Sequence, residues 1–97
     1  MIQLSNKHLE IVKNILRDQL VSQAVYVFGS RAKESAKTFS DLDLCIDGES
    51  LSYSQVSALK EAFSESDLPY FVDIIEKNKI SDSFYESVKA DFIELVL

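Results

Sequence analysis

The sequence predicts an α+β domain in which helices pack on a small mixed sheet of three strands. Amphipathic helical segments alternate with short apolar strands in the order α-β-α-β-α-β-α, a pattern typical of helices covering a sheet. The chain has 97 residues, of which 46% are hydrophobic. This length and composition suit one modest core. We therefore expect a single domain over residues 1–97.

The first half of the chain contains one long helix and two strands. Ser5 is a suitable N-cap, and apolar residues recur at helical spacing over residues 9–20. Ala24–Phe28 is a short β-branched and aromatic run, typical of a buried strand. A brief helix is predicted over Ser30–Ser35. In Leu42–Asp47 apolar and acidic residues alternate, which predicts a second strand with two different faces.

The second half contains two helices and a third strand. Ser52 and Gln55 form a capping box that predicts a helix, and Asp67-Leu68-Pro69 ends it. Tyr70–Ile75 is an apolar run that predicts the third strand. Ile80-Ser81 opens a last helix, whose apolar stripe consists of Phe84, Val88, Phe92 and Leu95.

The bulk composition excludes several classes of protein. The net charge of −6 argues against general nucleic-acid binding, which needs a basic face. No apolar run approaches the roughly 18 residues of a membrane span, and the N-terminus lacks the pattern of a signal peptide. The single Cys45 cannot form an internal disulfide. We therefore expect a cytoplasmic protein without membrane contact, with homo-oligomerisation left open.

Two aspartates stand one residue apart at the head of the second predicted strand. Because strand side chains alternate between faces, Asp41 and Asp43 project from the same face. Like charges that lie close together are costly unless a cation sits between them. Mg²⁺ is typically held by one or two carboxylates plus substrate phosphates. The pair therefore indicates a metal site; the alternative is a solvated strand end.

A Gly-Ser turn precedes this pair, at the end of the first strand. Gly29 lets backbone N–H groups approach a phosphate closely, and a helix that starts there adds unpaired N–H donors. Ser30 adds a hydroxyl, while Arg31 and Lys33 add positive charge. We expect Gly29, Ser30 and Arg31 to bind nucleotide phosphates. The alternative is a plain turn with Arg31 in solvent.

A third carboxylate, Asp73, lies in the middle of the apolar third strand, where a charge needs a partner or a metal. If the third strand lies beside the second, Asp73 joins Asp41 and Asp43 at one end of the sheet. Three carboxylates that face a phosphate-binding turn are the parts of a two-metal phosphoryl-transfer site. The alternative is a structural role, in which Asp73 pairs with a cation in the core.

These residues carry a resemblance to a known family. Gly29-Ser30, ten residues and then Asp41-Leu42-Asp43 match the GSx₁₀DxD signature of the DNA polymerase β-like nucleotidyltransferase superfamily. The whole chain resembles the minimal members, the MNT-type proteins. The resemblance implies the nucleotidyltransferase fold, with Gly29 and Ser30 contacting the triphosphate and Asp41 and Asp43 as metal ligands. It also implies that Asp73 is the third carboxylate, which assists the attacking hydroxyl.

The resemblance further implies an activity and a partner. MNT-type proteins are commonly paired with a helical HEPN toxin, and the implied reaction is Mg²⁺-dependent transfer of AMP from ATP to that partner, with Mn²⁺ as a substitute. Since the sequence ends at Leu97 just after the last predicted helix, we expect another chain to complete the acceptor site. Many relatives have a glycine where Glu34 stands.

Two other interpretations stay open at this point. The chain could be a weak or inactive homologue that neutralises its partner by binding alone, and Mg²⁺-dependent ATP turnover separates this case from the enzyme. A Toprim-type nuclease or primase fold also has a DxD pair. That fold needs a glutamate at the end of its first strand, where this chain has Phe28-Gly29-Ser30.

Overall fold

The computed structural model describes all 97 residues. The chain forms three α-helices and one four-stranded mixed sheet, joined by turns and short 3-10 helices. The strand order is β3-β2-β1-β4; β2 and β3 are parallel, and the other neighbours are antiparallel. None of the helices has the length and apolar character needed to cross a membrane. The elements are α1 (Asn6–Gln19), β1 (Ala24–Phe28), β2 (Leu42–Asp47), α2 (Tyr53–Ser64), β3 (Val72–Glu76), α3 (Asp82–Val88) and β4 (Ile93–Glu94).

Both long helices begin at the caps that the sequence predicts. The Ser5 hydroxyl accepts a hydrogen bond from the N–H of His8 at 3.2 Å, which satisfies one free donor at the start of α1. At α2 the capping box is complete: the N–H of Gln55 donates to the Ser52 hydroxyl at 3.1 Å, and the Gln55 side chain accepts from the N–H of Ser52 at 2.7 Å.

The main core lies between one face of the sheet and the two long helices. Alternate strand residues point toward α1 and α2 because side chains on a strand change face at each step. Eleven buried apolar residues form one cluster there: Val12, Leu16, Val25, Val27, Leu42, Leu44, Ile46, Leu51, Leu59, Phe63 and Leu95.

The opposite face of the sheet is covered by aromatic side chains rather than by a long helix. Phe28 on β1 contacts Phe84 of α3 edge to face, with ring centroids 6.4 Å apart, and also packs against Phe92 at 5.6 Å. Tyr26 stacks on Phe92 at 5.5 Å. Because α3 has only seven residues, part of this face stays open.

The prediction for the C-terminal segment was wrong. The last helix ends at Val88 and is followed by a 3-10 turn over Lys89–Asp91, after which Ile93–Glu94 forms the fourth strand against β1. The N–H of Leu95 donates to the carbonyl of Val25 at 2.8 Å. Pairing with the otherwise free edge of β1 outweighs the helical spacing of the apolar residues.

Two further element boundaries differ from the prediction. The short helix after β1 covers only Gly29–Arg31, and the chain leaves the helical conformation by Glu34, which adopts a positive φ of 59°. The third strand runs over Val72–Glu76 rather than Tyr70–Ile75. Its last residue, Glu76, is buried and accepts a hydrogen bond from the N–H of Leu51 at 2.9 Å.

Candidate active site

The Gly-Ser turn and the second aspartate of the DxD pair lie side by side. The antiparallel register of β1 and β2 places Phe28 opposite Asp43, so the turn that follows Phe28 begins next to this carboxylate. Gly29 has φ 73°, a conformation that side-chain-bearing residues rarely adopt, and a β-carbon there would overlap Oδ2 of Asp43. Glycine at this position therefore serves both the turn and the packing of the carboxylate.

The third carboxylate is brought to the same place by the parallel strand pair. Asp43 and Asp73 are direct partners in the register of β2 and β3, and neighbouring strands lie about 4.8 Å apart. Burial raises the pKa of the Asp43 carboxyl above its ordinary value of 3.8, and the charges of Asp73 and, to a smaller extent, Asp41 raise it further. The charges of Asp73 and Asp41 therefore both act on the Asp43 carboxyl.

The surroundings of Asp73 differ from the expectation. An acid inside the apolar run of residues 70–75 suggested a buried charge, but Asp73 is exposed. Strand β3 is an edge strand, and Asp73 lies on the face that α1 and α2 do not cover. Exposure removes the need for a cationic partner and leaves the carboxylate accessible to a second molecule.

The carboxylates fit a divalent metal that is held jointly with a substrate. Their donors are oxygens, the ligands that Mg²⁺ prefers, and a bound cation would relieve the repulsion that raises the pKa of Asp43. No group of three or more metal-ligating side chains converges in the chain. The carboxylates therefore do not form a complete metal site by themselves, and phosphate oxygens would complete it, as they commonly do in Mg²⁺ sites of substrate complexes.

Arg31, expected to bind phosphate, is instead buried with its guanidinium turned into the protein. It is only 6% exposed. Its guanidinium donates to the carbonyls of Ser40 (2.8 and 3.1 Å), Gln3 (3.0 Å) and Thr38 (3.3 Å). The ring of Tyr70 lies beneath it, with the guanidinium carbon 4.0 Å from the ring centroid. In this conformation the hydrogen-bond donors of Arg31 are used within the chain.

Sequence reasoning missed the residues that hold the segment between the turn and Asp41. Gln3 fixes this segment through its side chain, which accepts from the N–H of Ala36 at 2.9 Å and donates to its carbonyl at 3.0 Å. The backbone N–H of Gln3 donates to the carbonyl of Arg31 at 2.7 Å. No local pattern marks Gln3, because its partners lie about thirty residues away along the chain.

The position of Glu34 accounts for the glycine expected from the resemblance. Its φ of 59° lies in the left-handed region, which glycine occupies without steric cost. Glu34 is exposed. Replacing the expected glycine with glutamate therefore changes the backbone strain and the surface charge at this position.

Comparison with known proteins identifies the family of this chain. The family model described as "Polymerase beta, Nucleotidyltransferase" matches residues 10–96. Over 93 residues the chain is 41% identical to a Haemophilus influenzae protein described as "Probable protein adenylyltransferase MntA". This match covers 95% of the chain and 82% of the relative.

Solved structures agree on the fold. The chain superposes on a toxin–antitoxin crystal structure with AMP-PNP at a TM-score of 0.76 and 21% identity, covering 91% of this chain and 72% of the other. It superposes on a mutant toxin–antitoxin MntA–HpeT structure at 0.72 and 19% identity, covering 91% and 71%. With the family match over residues 10–96, the chain belongs to the polymerase β nucleotidyltransferase family and is a nucleotidyltransferase.

Proposed function

We propose that this chain is a Mg²⁺-dependent protein adenylyltransferase that transfers AMP from ATP to a hydroxyl of a HEPN toxin in the cytoplasm and so acts as its antitoxin. The contact between Gly29 and Asp43 carries the proposal, because it joins a phosphate-binding turn to a carboxylate of the DxD pair. The 41% identity to a probable protein adenylyltransferase supports the choice of a protein acceptor.

Each site residue has a defined task in this reaction. The hydroxyl oxygen of the acceptor attacks the α-phosphorus of ATP, the bond between the α-phosphorus and the bridging oxygen breaks, and pyrophosphate leaves. Gly29 and Ser30 bind and orient the triphosphate through the turn. Asp73, exposed beside Asp43, takes the proton of the attacking hydroxyl.

The DxD pair is the part of the chain that would hold the metal. Asp41 and Asp43, together with Asp73, would supply carboxylate oxygens, and phosphate oxygens of ATP would complete the coordination. When bound, Mg²⁺ supplies stabilisation of the negative charge that develops on the phosphoryl and leaving-group oxygens. We therefore expect appreciable binding of Mg²⁺ or Mn²⁺ only in the presence of a nucleoside triphosphate.

A protein acceptor agrees with the openness of the site. Asp73 is exposed on an edge strand, and the adjacent Phe71 is also exposed. Nothing within the chain covers these two residues, so a macromolecule can bring a side-chain hydroxyl to Asp73. Two of the solved structures to which the chain is similar are described as toxin–antitoxin assemblies, which supports a toxin as the acceptor.

The test follows label from α-phosphate-labelled ATP into a HEPN-domain protein that co-purifies with this chain when the two are co-expressed. We expect label in the toxin with Mg²⁺ and the wild-type chain, and none with Asp41→Asn or Asp43→Asn. Asp47→Asn is the matched control, because Asp47 lies on β2 at the end away from Gly29, opposite Ala24. Transfer by the Asp43 variant at the wild-type rate would rule out the assigned site.

A second candidate function is neutralisation of the toxin by binding alone. It is supported by the similarity to two toxin–antitoxin assemblies, because binding to a toxin does not in itself require catalysis. The same experiment separates the two functions. The toxin could be silenced without incorporated label, and equally well by the wild type and by Asp43→Asn. This result would establish neutralisation by binding alone and exclude the adenylyltransferase.

A further inference from the structure

We propose that Arg31 is a positioning residue that holds Asp41 in place relative to the Gly29-Ser30 turn, an inference that rests on the proposed function. Arg31 follows the turn directly and ends the 3-10 helix. Its side chain leads away from the turn and contacts the chain immediately before Asp41. One side chain therefore connects the phosphate-binding segment with the metal-binding segment.

The connection to Asp41 is made through the preceding carbonyl. Nε and Nη2 of Arg31 both donate to the carbonyl of Ser40, at 3.1 and 2.8 Å, and Nη2 also donates to that of Thr38 at 3.3 Å. The fork geometry of a guanidinium allows these bonds to form together. Asp41, the next residue along the chain, lies outside the regular part of β2, so the sheet pairing alone does not fix it.

The same guanidinium reaches the segment that leads into the strand of Asp73. It lies 4.0 Å from the ring centroid of Tyr70, three residues before Asp73. Tyr70 is itself held by its hydroxyl, which is 3.0 Å from Nδ1 of His8 on α1. Arg31 therefore contacts Ser40, next to Asp41, and Tyr70, close to Asp73.

Gln3 is the anchor of this arrangement. Its carbonyl accepts from Nη1 of Arg31 at 3.0 Å, while its side chain binds both backbone groups of Ala36. The segment between the turn and Asp41 is therefore held at two points, by Gln3 at residue 36 and by Arg31 at residues 38 and 40. Loss of either is expected to loosen Asp41 without removing a group that touches the nucleotide.

Two properties distinguish positioning from direct phosphate binding. Arg31 is 6% exposed, so a nucleotide cannot reach the guanidinium in this conformation. Lysine keeps the positive charge but cannot form the forked set of bonds to carbonyls. A phosphate contact would be largely retained in Arg31→Lys, whereas a positioning role would be lost.

The experiment compares Arg31→Lys, Gln3→Ala and the control Gln23→Ala. Gln23 is a fair control because its side chain also holds loop backbone, accepting from the N–H of Val21 and Ser22 and donating to the carbonyl of Glu49. For Arg31→Lys and Gln3→Ala we expect the Mg²⁺ concentration for half-maximal AMP transfer to rise about tenfold, as for loss of other groups that orient metal ligands. Gln23→Ala should keep the wild-type value.

ATP binding in the absence of metal should not change, in contrast to the Mg²⁺ requirement of AMP transfer. ATP affinity in EDTA should be the same in all three variants as in the wild type, because no residue that touches the nucleotide has changed. A Mg²⁺ requirement of Arg31→Lys equal to that of the wild type would overturn the proposal, because a direct phosphate contact would survive this substitution and a positioning role would not. If Arg31→Lys does not fold, Tyr70→Leu is judged by the same criteria, because it removes the ring that lies against the Arg31 guanidinium.

Hydrogen exchange separates failure of this inference from failure of the proposed function. The amides of residues 36–42 should exchange faster in Arg31→Lys and Gln3→Ala than in the wild type, and those of residues 21–23 should not. Wild-type protein that transfers no AMP would refute the proposed function. The positioning of Asp41 could still be measured in that case, as the affinity for Mn²⁺ in the presence of ATP. Unchanged exchange over residues 36–42 in both variants would refute the positioning role.

Discussion

Gly29 and Asp43 are packed so closely that a β-carbon on residue 29 would overlap the Asp43 carboxylate. The contact joins the end of β1 to the start of β2, where antiparallel pairing sets Phe28 opposite Asp43. The turn and the carboxylate therefore depend on each other for their positions. The spacing of ten residues between Ser30 and Asp41 is the length of chain that leaves β1 and returns to β2.

Gly29→Ala is expected to abolish AMP transfer. The new methyl group displaces the Asp43 carboxylate, and φ 73° is strained for alanine by about 1 to 2 kcal/mol. Gly48→Ala is the matched control, because Gly48 also has a positive φ, 135°, but lies at the other end of β2. Both variants should melt at a lower temperature, and only Gly29→Ala should lose transfer. Full activity in Gly29→Ala would contradict the assigned contact.

Asp73→Asn separates a catalytic carboxylate from a structural one. The charge of Asp73 helps to raise the pKa of Asp43, after burial of Asp43 itself, so removal of this charge reduces repulsion in the metal-free protein. We expect a melting temperature equal to or above that of the wild type, unchanged ATP binding and AMP transfer lower by orders of magnitude. A variant that melts lower and transfers AMP at the normal rate would refute the catalytic role.

Glu34→Gly is expected to stabilise the fold without changing the reaction. Relief of the left-handed conformation at φ 59° is worth about 1 kcal/mol in the free energy of unfolding. Glu34→Ala removes the same charge but keeps the strained conformation, so it should give no such gain in a denaturant titration. Equal stabilisation by both substitutions would show that charge, not backbone strain, is the cause.

Glu76→Gln is expected to destabilise the protein in a pH-dependent manner. Burial raises the pKa of Glu76, but its hydrogen bonds with Lys79 (2.8 Å) and the N–H of Leu51 outweigh burial, so that the net pKa lies below the ordinary 4.5. A lowered folded-state pKa gives stability that is complete above the unfolded value and is lost as the pH falls through the folded value. Loss of the charged acceptor should cost about 1 to 3 kcal/mol at pH 7.

The measurement for Glu76 is urea unfolding of wild type and variant between pH 3 and pH 7. The difference in unfolding free energy should shrink as the pH falls below about 4.5, the unfolded reference value. Glu86→Gln is the control, because Glu86 also pairs with a lysine three residues later, Lys89 at 2.7 Å, but is exposed. It should have little effect at any pH. A difference for Glu76→Gln that stays constant with pH would contradict the assigned contacts.

Local patterns in the sequence determined the helix starts and the first two strands. Ser5 and Ser52 cap helices because a side-chain oxygen and nearby free N–H groups are sufficient for a cap. Alternation in Leu42–Asp47 set the acids on one face because a strand has a period of two residues. These features depend on neighbours within a few residues, which is why the chain alone predicts them.

Contacts between residues far apart in the chain decided the fourth strand, the exposure of Asp73 and the burial of Arg31. Residues 93–94 became a strand because β1 offered a free edge, although their apolar spacing is helical. The exposure of Asp73 follows from the edge position of β3, which a sequence does not reveal. Arg31 is buried because carbonyls of residues 3, 38 and 40 surround its guanidinium. Hydrogen bonds between distant segments form only once the sheet has brought those segments together, and so only the tertiary structure assigns Arg31 its place.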